Sequence, residues 1–298
     1  MTTLLIPKPP LFSFKECLWF LNRSYDDCLY HITDNSVTKA ILIDEQTVVI
    51  TVTEDQENIV VNVLTGRLPT QSKTALSTYI DDWFDLQRNI EPFYKLLSAH
   101  PSLGYMATDF AGLRLMNIPD VFEAICWSII GQQINLTFAY KLKRAIVEKY
   151  GTYIVIDGVK HYTFPKPAVL ALLSIEDLKA LQFSRQKADY IITLAKLFEA
   201  GEISKAQLLQ LSSADKVKTL VSLKGIGIWT ANYVLMKSLN DTNGIPHGDV
   251  GLLKALEDHA LIINRKDDKA IAHLFSQFPG WQSYLVHYLW RSLAIPKS

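Results

Sequence analysis

Residues 223–234 run Leu223-Lys224-Gly225-Ile226-Gly227-Ile228-Trp229-Thr230-Ala231-Asn232-Tyr233-Val234. Apolar spacing predicts a helix over Ala214–Val221 that ends near Ser222, and a second, amphipathic helix after Gly227. Two glycines around one apolar residue permit a tight backbone reversal that β-carbons would obstruct. The second helix then presents unpaired N–H groups and the positive end of its dipole at that reversal. A phosphate can sit there without a basic side chain. Ile226 is expected to pin the reversal by packing between the helices, and Lys224 adds one positive charge beside it. By itself, a Gly-x-Gly between helices also fits a plain turn.

The chain continues to Asn243-Gly244-Ile245-Pro246-His247-Gly248-Asp249-Val250-Gly251-Leu252-Leu253-Lys254-Ala255-Leu256. Here a Gly/Pro-rich loop delivers one aspartate to the start of another helix. Asp249 reads as a helix N-cap, since aspartate is among the best residues for that position. It also reads as a carboxylate held at the rim of a cleft beside the hairpin, and the two roles are compatible because a cap is rigidly placed. His247, two residues away, fits either the cleft or plain solvation. Trp229 and Tyr233 are four apart and share a helix face, where both core packing and ligand stacking fit.

Together these segments resemble the helix-hairpin-helix base-excision DNA glycosylases, and most closely the DNA-3-methyladenine glycosylase II family. Leu223–Gly227 matches the hairpin, and Asp249, 22 positions after Gly227, matches the family's catalytic aspartate. Gly225–Tyr233 reproduces the family's Gly-Ile-Gly-x-Trp-Thr-Ala-Asn-Tyr run. Ile130-Gly131-Gln132-Gln133-Ile134 resembles a helix end whose residue after Gly-Gln inserts into the DNA stack, here Gln133. Trp281-Gln282-Ser283-Tyr284 through His287-Tyr288-Leu289-Trp290 resembles the C-terminal helix, and Phe12–Leu21 the opening of the N-terminal domain. Lys224 and Gln282 depart from the proline and arginine usual at their positions, which bears on substrate preference.

The resemblance implies a base pocket from Trp229, Tyr233 and Trp281, and DNA contacts from Gln132, Gln133, Lys224, Gly225, Ile226 and Gly227. Relatives that also cleave the backbone carry a lysine two residues after the second hairpin glycine. That position is Trp229, which cannot form a Schiff base, so monofunctional excision of alkylated purines such as 3-methyladenine and 7-methylguanine is expected. The implied partner is double-stranded DNA containing damaged bases, bound by a monomer in the cytoplasm (at the nucleoid) of a prokaryote or the nucleus of a eukaryote. No cofactor is required, although a monovalent cation held by hairpin carbonyls would fit the family. Competing readings are a non-catalytic helix-hairpin-helix DNA-binding protein and a glycosylase for oxidised or deaminated bases.

Working outward, the texture after about Asn89 is helical. Pro119 stands where a first turn would begin, Leu136–Tyr150 stops at Gly151, and Pro165–Leu173, Ser174–Leu181 and Arg185–Ala200 follow. Before it, a short helix over Phe12–Leu21 precedes β-branched runs at Ala40–Ile43, Thr47–Val52 and Ile59–Leu64, with turns at 34–36 and 44–46 and a helix over Ala75–Leu86. The expected fold is α+β: an N-terminal antiparallel β-sheet domain over 1–88, then an all-α glycosylase core over 89–298 with two helical lobes flanking a cleft.

The 298 residues suffice for about two domains, and 49% hydrophobic with 20% charged residues excludes disorder and coiled coil. No apolar stretch approaches the ~20 residues of a membrane helix, and the start lacks a basic n-region, so neither a membrane partner nor a leader is expected. Three cysteines, Cys17, Cys28 and Cys126, make no CxxC; together with scattered histidines they imply no catalytic metal and no iron–sulfur cluster. The formal net charge is zero, divided as −5 over residues 1–100 and +5 over the remainder. A polyanion, if bound, belongs to the second part.

Overall fold

Short β-branched strands joined by tight turns build the first layer. The computed structural model describes residues 2–22, 27–65 and 68–294. Among them, β1 (Thr2–Pro7), β2 (Tyr30–Thr33), β3 (Ser36–Ile43), β4 (Gln46–Glu54) and β5 (Asn58–Val63) form an antiparallel sheet of order β1-β5-β4-β3-β2. Asp44 and Glu45 both take positive φ, the geometry a two-residue hairpin loop needs, and set the register Ile43↔Gln46. The sheet's inner face carries Val37, Ile41 and Ile43 of β3 against Val48, Ile50 and Val52 of β4. One inward position in that alternation is not apolar: Lys39.

The helices Ser72–Phe84 and Glu91–Ala99 cover this face, and the chain's last helices return to it. Leu252 and Leu256 of Val250–Asp258, Phe275 of Asp268–Ser276 and Tyr284 and Leu289 of Gln282–Ser292 share one core with Ile50, Trp83 and Phe93. Polar groups lock the return in place. Buried Arg114 donates to the carbonyls of Pro10, Leu11, Asp85 and Arg88. Asp85 accepts from Tyr284 Oη at 2.6 Å, and Arg291 pairs with Glu16 at 2.7 Å.

A second core lies between the helices Val121–Gly131, Leu136–Tyr150, Arg185–Glu199, Ser213–Val221 and Ile228–Ser238, with Ile125, Leu142, Ile191, Leu220 and Val234 at its centre. The two cores cut across the expected 88/89 boundary: residues 90–116 and 252–289 pack in the sheet's core, and the second core draws its helices from 121–239 together with Cys28 and Leu29. Local composition cannot show which core a helix joins.

Other departures are smaller. The local pattern does not predict β1, which takes its strand conformation from long-range pairing with β5. A hairpin of β6 (Tyr153–Ile156) and β7 (Val159–Tyr162) interrupts the helices, turning at Asp157-Gly158, both at positive φ. The helix after Pro119 starts at Val121, with Asp120 rather than proline at its head, accepting from Phe122 N at 2.8 Å. Cys17, Cys28 and Cys126 are free and buried, and among the described residues no His/Cys/Asp/Glu cluster could hold a metal. No helix among them is long and apolar enough to cross a membrane.

Candidate active site

Between the two cores runs a cleft of about 1220 Å³. Trp229 and Tyr233 line one wall and Asp249 and Trp290 another, with Gln132, Gln133 and Gly227 at its margin. A smaller groove of about 500 Å³ lies on the other side of the hairpin, and the same three marginal residues line it too, alongside Gly225, Ile226 and Lys187.

The hairpin is built from its glycines. Gly225 sits at φ +86°, where a Cβ would stand 2.2 Å from the Tyr190 ring. Gly227 has ordinary extended backbone, and a Cβ there would meet nothing within 4 Å. Gly225 thus serves the fold, while Gly227 leaves open space outside the chain. Ile226 is buried between the helices. Gly227 heads Ile228–Ser238 with no side-chain cap, so the first-turn N–H groups keep their positive end uncovered. Gln132 braces the turn: its Nε2 donates to the Gly225 carbonyl at 3.0 Å and to Thr230 Oγ1 at 3.1 Å. Gln133, next along, is exposed at φ +57°. Lys224 is exposed and paired with Asp189 at 2.6 Å; that hydrogen bond and the facing charge hold its pKa above the ordinary lysine value.

Asp249 is the N-cap of Val250–Asp258, and its Oδ1 accepts from Leu252 N at 2.7 Å and from Trp290 Nε1 at 2.9 Å. Oδ2 has no partner among the described residues. Gly251 leaves this contact room: a Cβ there would crowd Asp249 Oδ1 at 3.2 Å and touch the Trp290 ring at ordinary contact distance. Opposite, the rings of Trp229 and Tyr233 stack at 5.4 Å with 19° between planes. His247 is exposed and does not line the cleft.

Trp281 is a correction. Its indole packs 5.9 Å from Phe93 and edge-on to Tyr284 in the first core, and it does not line the cleft. It stands just before Gln282–Ser292, facing inward, whereas Trp290 in the last turn reaches Asp249. Of the two indoles, Trp290 is therefore the one that lines the cleft and touches Asp249. Gly251 and Trp290 were the residues missed; Gly251, two after the aspartate, was the available signal.

The deep end of the cleft is polar. Lys143 pairs with Asp27 at 2.8 Å and Glu123 at 3.3 Å, and lies over the Trp127 ring. Burial opposes the Lys143 charge, but the two carboxylates outweigh it and raise its pKa. Burial likewise opposes ionisation of Asp27, and Lys143 prevails and lowers its pKa. Lys237, two turns beyond Trp229, also lines the cleft; its ammonium donates to the Met116 carbonyl.

Residues 126–279 match the model of the HhH-GPD superfamily of base excision DNA repair proteins, and residues 13–125 that of the 8-oxoguanine DNA glycosylase N-terminal domain. The chain is 38% identical over 294 residues to the DNA-3-methyladenine glycosylase of Bacillus subtilis (strain 168), covering 97% of both. Its fold matches the 3-methyladenine DNA-glycosylase from Archaeoglobus fulgidus with a TM-score of 0.83 at 24% identity, over 97% of each chain. It also matches the Clostridium acetobutylicum 8-oxoguanine glycosylase/lyase, solved with double-stranded DNA, with a TM-score of 0.76 at 19% identity, over 98% of this chain and 99% of that one.

Proposed function

The chain belongs to the HhH-GPD superfamily of base excision DNA repair proteins, and we propose that within it this DNA glycosylase is monofunctional and excises alkylated purines. One observation carries the reading: a carboxylate fixed by two donors through one oxygen, across a cleft from two stacked aromatic rings. Hydrolysing an N-glycosidic bond develops positive charge on the deoxyribose. A carboxylate that is already oriented stabilises that charge with no reorganisation at the moment of reaction. Oδ1 holds the orientation of Asp249, and Oδ2 remains for the sugar or a water. An alkylated purine carries positive charge, leaves readily and binds the faces of Trp229 and Tyr233 by stacking and cation–π attraction.

Because the glycosidic bond is hidden in a duplex, the nucleotide must flip out. The uncapped helix end at Gly227 suits a backbone phosphate, with Lys224 beside it. Gln133, exposed where both grooves meet, suits the wedge that fills the gap, and its amide can bond to the orphaned base. Gln132 acts through the hairpin it braces. A monovalent cation is part of the proposal: the carbonyls of Leu223 and Gly225 accept from Ile226 and Gln132 respectively, and each keeps a second lone pair for it.

Monofunctionality rests on Trp229, which offers no amine to the sugar. Lys237 is eight residues further, ~12 Å along the helix axis, with its ammonium tied to Met116. Base release from duplexes bearing 3-methyladenine, 7-methylguanine, hypoxanthine or 8-oxoguanine tests the proposal. The expected product is an intact strand with an abasic site, nicked only after alkali, and no species trapped by borohydride. Efficient trapping by the wild-type protein would overturn the monofunctional reading.

A further inference from the structure

On β3, inward-facing Val37, Ile41 and Ile43 bury themselves in the first core, and Lys39 shares their face. A lysine there is only 7% exposed. Its Nζ lies 5.4 Å from the centroid of the Tyr30 ring and 5.9 Å from that of Trp83. It has no hydrogen-bond acceptor and no carboxylate within ion-pair distance among the described residues. Its ammonium is attracted by the Asp27 carboxylate, which is already tied to Lys143, so the ammonium's own hydrogen bonds stay available to a lone pair in the cleft. What borders Lys39 is the deep end of the cleft that holds Trp229, Tyr233 and Asp249. The neighbouring amines are satisfied: Lys143 by Asp27 and Glu123, Lys237 by a carbonyl.

We propose that Lys39 is a specificity-determining residue that donates a hydrogen bond to a carbonyl oxygen on the edge of the flipped base. The inference rests on the cleft being the base pocket, and deepens that reading by naming the preferred substrate class. A planar base stacked on Trp229 and Tyr233 turns its far edge to the floor. An ammonium there favours an edge with an acceptor oxygen, most strongly in neutral hypoxanthine and, against the positive charge of the alkylated ring, in 7-methylguanine. It opposes an edge with an exocyclic amine, as in 3-methyladenine, because two sets of donors then face each other. The site therefore selects keto-purines over amino-purines, through a residue of the N-terminal sheet rather than of the hairpin lobe.

The test is single-turnover excision of hypoxanthine, 7-methylguanine and 3-methyladenine from one duplex context, by wild-type protein, Lys39→Met and Lys39→Arg. Comparing ratios between variants cancels differences in how readily each base flips. Lys39→Met is expected to lower the keto-to-amino ratio about 10–100-fold, the effect of losing one charge-assisted hydrogen bond. Its melting temperature should change little, since methionine keeps the apolar stem in the core while the change removes a largely buried charge along with its attraction to Asp27 and the Tyr30 and Trp83 rings. Lys39→Arg should keep the ratio within about threefold of wild type, because the donors and the charge remain. An unchanged ratio in Lys39→Met, with all rates kept or all lowered together, overturns the proposal. So does a loss of folding in that variant, which would assign Lys39 to the core. If the wild-type protein releases none of the three bases, the glycosylase reading of the cleft falls and this inference with it; an unaltered ratio alongside active wild type overturns this inference alone.

Discussion

Two helices begin at the cleft, each after a glycine-bearing loop, and they treat negative charge in opposite ways. Ile228–Ser238 starts at Gly227 with no side-chain cap, so its N–H groups stay open to an anion from outside. Val250–Asp258 starts at Asp249, whose carboxylate fills the same kind of position from within. Similar local architecture thus supplies a phosphate seat in one place and a fixed anion in the other. The difference is one side chain at one backbone position, and it divides the proposed labour: the first helix end holds the DNA, the second faces the sugar.

The largest expected effect comes from removing the charge while keeping the cap. Asp249→Asn still accepts from Leu252 N and Trp290, so the fold and the helix start survive. Base excision should fall by about 10²–10³-fold or more, as for loss of one electrostatic stabiliser, while affinity for damaged duplex holds or improves. Excision at the wild-type rate would break the comparison outright.

Filling the open helix end comes next. Gly227→Val places its Cβ in space the protein does not use, so melting should fall only slightly, through the loss of a favourable helix N-cap residue. Affinity for damaged and undamaged duplex should fall about 10–100-fold, the scale of one hydrogen bond to a charged group. Gly225→Ala separates fold from function on the same turn. A residue forced to φ +86° against Tyr190 should cost about 1–3 kcal/mol of stability in thermal melts. Equal DNA affinity for folded Gly227→Val and wild type would show that the hairpin is only a turn.

Trp290→Phe probes how much the fixed carboxylate depends on its second donor. It keeps a ring but deletes the bond to Asp249 Oδ1. Single-turnover excision should drop about tenfold, with DNA affinity nearly unchanged. A parallel loss of binding would instead make Trp290 a packing residue.

The smallest effect belongs to Lys224. An unpaired phosphate-binding lysine contributes about one unit to the salt dependence of DNA affinity. Here Asp189 already shares the charge, so Lys224→Ala should shift the slope by less than that. Affinity measured across a salt series checks this, and a full-unit change would show that DNA displaces Asp189 completely.

The hairpin, the aspartate cap and the β3–β4 turn were legible in the sequence because their causes are local. Gly225, Asp249 and the Asp44-Glu45 pair act on backbone within a few residues of themselves. Tyr233 and Trp229 were legible as a pair for the same reason, four residues apart on one helix. What only the tertiary structure decided was which distant groups meet them. The return of residues 252–289 to the sheet's core brought Trp290 to Asp249 and turned Trp281 inward to Phe93. It also set Lys39 of the sheet and Lys143 of the other lobe around one cleft. Periodicity along a chain reports which face of an element is apolar; it carries no information on which other face that surface will cover, because that choice is made by packing between residues far apart in sequence.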